Sequence, residues 1–250
     1  MNQSYMFSSI IAVFRRFYGR NINNEQNEIP YNFAPAAGLF PGLLVAVIGA
    51  AFVFLMGRLG GGIMAALFLP LFLEILTGWR GISITVVCIE RLIAGREQIG
   101  NKKEEPRNNT DLMQRQILFA TIYLFRMTVF GLLAASGNAV WFVYVLGGSY
   151  LIRGELSKNG EDVAEGSRFG GWFFYLIFIF FAGLFAFHWS ALASLPLAVV
   201  LTILLLIGCA RIIEKYFDRT EFWMTDLLGY FSENIMLFVG LILFGRQIYG

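Results

Sequence analysis

Residues 71–92 read LFLEILTGWRGISITVVCIERL, and the chain is organised around the change of character inside this stretch. Up to Leu76 it is apolar except for Glu74. Thr77 and Gly78 end that run, and a half-polar segment continues to Glu90 and Arg91. The first part is the end of a membrane span. The second part is expected to be re-entrant or to lie at the membrane surface.

Outward from this stretch the same apolar character recurs. Of 250 residues, 57% are hydrophobic and 14% charged, against about 25% charged in a soluble domain. Six further runs approach the ~20 residues that cross a hydrocarbon core. With the run that ends at Trp79, the expected spans are residues 34–56, 62–79, 116–135, 139–152, 171–187, 191–212 and 222–244. The expected fold is all-α, a polytopic membrane helical bundle of about seven transmembrane helices. The domain division is residues 1–33 as an amphipathic interfacial helix with a polar loop, and residues 34–250 as one transmembrane domain with an inner loop at 80–115. No nucleic-acid affinity follows from a net charge of +2. The partners implied are the lipid bilayer and other membrane chains.

Basic residues set the orientation. Arg15, Arg16 and Arg20 lie in the N-terminal arm. Arg80, Arg91, Arg96, Lys102, Lys103, Arg107 and Arg115 follow the second span. Arg153, Lys158 and Arg168 follow the fourth, and Arg211, Lys215 and Arg219 the sixth. These are sixteen of the 19 cations; Arg58 and Arg246 fall on the other side, and Arg126 falls inside a span. The alternation implies a multi-pass membrane protein with the N-terminus cytoplasmic and the C-terminus outside.

Charges inside the apolar runs are the candidates for chemistry, because an unpaired charge there costs several kcal/mol. Glu74 and Arg126 are expected to form an intramembrane pair. Three uses are open: pinning two helices, serving a substrate or ion, or binding another subunit. Asp226 and Glu233 lie seven positions apart in TDLLGYFSENI, on one helical face. Two carboxylates on one face are one wall of a Mg²⁺ site, or else a helix start and a packing carboxylate. Glu90 is a third carboxylate for such a site. Cys88 and Cys209 read as small buried hydrophobes, and the single histidine, His188, as an interfacial residue beside Trp189.

The order of these elements resembles the cobalamin synthase family, the adenosylcobinamide-GDP ribazoletransferases. Residues 7–20 look like its N-terminal segment, and NFAPAAGLFPGLLVAVIGA, with Phe40, Pro41 and Gly42, looks like its first span. LTGWRGISITVVCIERL falls on the family's Thr-Gly-x-x-His-x-Asp-Gly-Leu-Ala-Asp-x-x-Asp-Gly block, and TDLLGYFSENI on its Gly-Asp-x-x-Gly-x-x-x-Glu block. Thr77, Gly78, Asp226, Gly229 and Glu233 match, and Arg126 falls where the family has Lys. The His position holds Gly81, and the three Asp positions hold Ser83, Val87 and Glu90. The resemblance implies a helical enzyme of a bacterial inner membrane that uses Mg²⁺ on the diphosphate of an activated corrinoid. The lost acidic block instead implies a non-catalytic subunit or scaffold of a membrane complex, with no cofactor. An altered transferase built on Glu90, Asp226 and Glu233, with Mg²⁺ and a small-molecule substrate, is the alternative; a small transporter built on Glu74 and Arg126 is the second.

Overall fold

The computed structural model describes residues 33–93, 109–158, 168–185, 189–216 and 222–245. Within them the chain is helical, with short turns. The seven helices among the described residues are α1 (Ala34–Thr77), α2 (Arg80–Ile93), α3 (Asn109–Ala135), α4 (Trp141–Lys158), α5 (Arg168–Phe185), α6 (Trp189–Tyr216) and α7 (Phe222–Phe244). The N-terminal amphipathic segment, His188 and residues 94–108 of the inner loop lie outside the described residues.

Helix α1 is a hairpin rather than one rod. Gly57 has φ 72° and ψ 174°, a conformation open to glycine alone, and it breaks the helix into two arms. The arms fold back on each other. A Cβ on Gly61 would overlap the Val53 backbone, and the rings of Phe52 and Phe68 lie 6.0 Å apart. Each arm is roughly 30–35 Å long at 1.5 Å per residue, close to a hydrocarbon core. The expected runs 34–56 and 62–79 are these two arms.

Among the described residues, four helices are long and apolar enough to cross a membrane: α1, α3 over Met113–Ala135, α6 over Leu192–Lys215, and α7 over Met224–Phe244. Shorter apolar stretches lie in α2 (Arg80–Ile89) and α5 (Gly170–Leu184). Large apolar side chains cover the outside, among them Phe54, Leu59, Phe173, Leu204 and Ile242, while Glu74, Arg126 and Glu233 are buried. This is the distribution that a lipid environment favours.

Helix α4 is the centre of the bundle. It packs against α1, α5, α6 and α7 and is buried continuously from Trp141 to Gly154. Small residues bring its neighbours close. Gly38 of α1 lies against the Leu146 carbonyl, and Gly42 against Val143; a Cβ at Gly42 would stand 2.9 Å from the Val143 Cα. On the α7 side, Gly240 receives the Trp141 indole, whose Nε1 donates to the Met236 carbonyl at 2.9 Å. On the α5 side, Tyr175 donates to the Tyr144 carbonyl at 3.2 Å and lies 3.3 Å from the Thr202 hydroxyl of α6. A second seam joins α1 to α3, where Gly62 and Ala66 meet Gly131 and Ala135. Such small-residue spacing lets helices approach where hydrophobic driving force between them is weak.

The opening stretch of sequence resolves into two helices and a sharp turn. Gly78 takes a left-handed conformation (φ 62°, ψ 33°) and caps the second arm of α1; its N–H meets the Ile75 carbonyl at 3.2 Å. Trp79 follows with φ 61°, rare for a bulky residue, and its ring packs on Phe119 and Tyr123 of α3. The turn swings α2 across α3 and α7, burying Ile82 and Val86 against Tyr230. At 14 residues, about 21 Å, α2 is too short to span.

Candidate functional site

The buried charges gather at one place. Glu74 comes from the second arm of α1, Arg126 from α3, Arg153 from α4, and Asp226 and Glu233 from α7. Arg126 is the hub. Its Nη2 donates to Glu233 Oε1 at 2.7 Å, and its Nε lies 3.3 Å from Glu74 Oε1. Arg153 Nη2 stands 3.7 Å from Glu233 Oε2. Tyr230 donates to Glu74 Oε1 at 3.4 Å and offers its ring face to Arg126, 4.8 Å from the guanidinium carbon. Arg153 stacks in the same way over Tyr150, at 4.4 Å. Four helices are thereby held by two guanidinium groups, two carboxylates and a phenol.

The local sequence explains why these side chains converge. Gly81 and Gly229 have no side chain where Tyr230 and Arg153 press against them. Any Cβ at Gly229 would collide with the Arg153 stem, so this glycine admits the arginine between α4 and α7. Asp226 and Glu233, read from sequence as one face, line the same small cavity, together with Glu74, Thr77, Arg80, Arg126, Arg153 and Tyr230. Its volume is about 20 Å³. The wall carries three acidic and three basic side chains, a formal balance of zero.

Two sequence readings thus merge. The Glu74–Arg126 pair and the Asp226–Glu233 wall are parts of one cluster, joined through Arg126. Glu90 lies on α2 ten residues after Arg80, and its side chain is outside the described residues. Ser83 is exposed, and Val87 carries no oxygen ligand. Both oxygens of Glu233 face guanidinium groups. A carboxylate already compensated by two arginines does not fit a magnesium ion, which needs near-octahedral oxygen ligands. Among the described residues, no group of three or more His, Cys, Asp or Glu converges as metal ligands would.

Arg153, Tyr150, Tyr230 and Arg80 were not anticipated as site residues. Arg153 counts from sequence as the first cation after the fourth span. In the structure α4 runs on to Lys158, so Arg153 lies inside the helix, buried. The signal for it was present in Tyr150-x-x-Arg153, an aromatic and a cation on one helical face. Cys209 is buried with its thiol 3.6 Å from the Ser232 hydroxyl, in keeping with a small packed side chain.

No protein-family model, no curated protein and no solved structure matches this chain.

Proposed function

We propose that this chain is a membrane-embedded, non-catalytic subunit or scaffold, one that keeps a cobalamin-synthase-like helical architecture without its acidic block. The observation that carries the reading is Arg126 lying between Glu74 and Glu233, with Arg153 facing Glu233 from the other side. These carboxylates are engaged by the protein's own cations. The cavity left over, about 20 Å³, is far below the several hundred Å³ of a small-molecule pocket. Such a cluster locks helices together; it does not present ligands. The apolar exterior, rich in Phe and Leu, is the surface that lipids and other membrane chains would share.

In this reading the chain crosses a bacterial inner membrane seven times, with a cytoplasmic N-terminus. The hairpin at Gly57 and the one-sided distribution of cations support that topology. Helix α2 then lies at the cytoplasmic face, beneath the charge cluster.

A second reading, an altered transferase acting on a phosphate-bearing substrate, is favoured by one observation. Arg80 and Asp226 line the cavity together with Thr77. Purification of the full chain from its own membranes in mild detergent distinguishes the two. A scaffold is expected to bring a defined membrane chain in fixed stoichiometry. A partner-free protein with transferase activity on an activated corrinoid would displace this reading in favour of the second.

A further inference from the structure

The charge cluster contains groups that its ion pairs leave incomplete, among them one on Glu74 and one on Arg126. Glu74 Oε2 and Arg126 Nη1 are fully buried and have no hydrogen-bond partner among the described residues. Both side chains line the cavity of about 20 Å³. A buried carboxylate oxygen and a buried guanidinium N–H each lose strong hydration on folding, and native proteins almost always satisfy such atoms. We propose that this cavity is a binding site for one internal water, which accepts a hydrogen bond from Arg126 Nη1 and donates one to Glu74 Oε2.

Charge selects the guest. An anion placed beside Arg126 would also face Glu74 and Glu233. A cation placed beside Glu74 would face Arg126 and Arg153. The wall is formally neutral, so neither ion gains a net counter-charge. The guest must be neutral, and it must both accept and donate. Size selects it further: one water needs about 10–15 Å³ of such space and two to four polar partners. A cavity of about 20 Å³ has the room that one water needs. The site does not depend on whether the chain is a scaffold or an enzyme, since it rests only on the pair and the space beside it.

A crystal structure of the full chain in lipid, at about 2 Å resolution, tests this directly. The expected result is a single peak within about 2.6–3.2 Å of both Glu74 Oε2 and Arg126 Nη1. Crystals soaked in bromide and in thallium(I) are expected to show no anomalous peak there. Three results would each overturn the proposal. One is an anomalous peak in the cavity from either ion. Another is Glu74 Oε2 bonded to a protein donor with the cavity closed. The third is density for a larger molecule.

Discussion

Arg126 Nη2 donates to Glu233 Oε1 at 2.7 Å, across 107 positions of sequence. That bond ties α3 to α7, and Arg126 also reaches Glu74 of α1. Three helices therefore depend on one buried guanidinium.

Removal of the hub should be severe. In Arg126→Met, Glu74 and Glu233 lose the guanidinium between them, while Arg153 still faces Glu233. Loss of one member of a buried ion pair costs about 3–5 kcal/mol. Thermal unfolding in detergent is expected to show a large drop in midpoint. Arg126→Met combined with Glu74→Met leaves Glu233 with Arg153 and should recover a substantial part of the loss. A double variant no more stable than the single one would show that the pair is not coupled.

Two glycines should respond to alanine with opposite signs. Gly57→Ala forces a side chain into φ 72°, ψ 174°, although nothing stands within 4 Å of the added Cβ. The penalty is conformational, about 1–3 kcal/mol. Gly208, in the middle of α6, also has open space around it. There alanine should stabilise, by up to about 1 kcal/mol, through helix propensity. Equal midpoints for the two variants would contradict the hairpin at Gly57.

Gly38→Ala tests the central packing. Its Cβ would collide with the Leu146 carbonyl, a backbone group that cannot swing away. Separation of α1 from α4 at this point is expected to destabilise by about 1–3 kcal/mol. A Gly38→Ala protein as stable as the parent would mean that these helices are further apart than described.

The proposed seven-span topology places the cation-rich connections in the cytoplasm. Reporter fusions after Gly100, Asn159 and Tyr216 should report cytoplasm, and a fusion after Gly137 the opposite side. A cytoplasmic signal at Gly137 would refute the seven-span topology.

The apolar runs were legible because hydropathy is written locally. The turn between the first two was legible too, since Gly57, Arg58 and the glycines at 60–62 interrupt the run. Glu74 and Arg126 stood out because a charge in an apolar span needs a partner. Their link to Glu233 was hidden, because helical spacing says which face a residue shares and nothing about which distant helix it meets. Arg153 was misread for a related reason. A cation near the end of a span looks like a loop residue, and only the continuation of α4 to Lys158 shows it to be interior. The central position of α4 was hidden as well: its run looked short, and burial by four neighbours leaves no periodic polar face to read.

The central claim is that this cluster holds the fold rather than performing chemistry. The most direct measurement is ribazole transfer from a GDP-activated corrinoid by the purified, folded full chain in the presence of Mg²⁺. No transfer above the uncatalysed background is expected, for the parent protein and for Asp226→Asn alike. Transfer by the parent that disappears in an equally stable Asp226→Asn variant would contradict it.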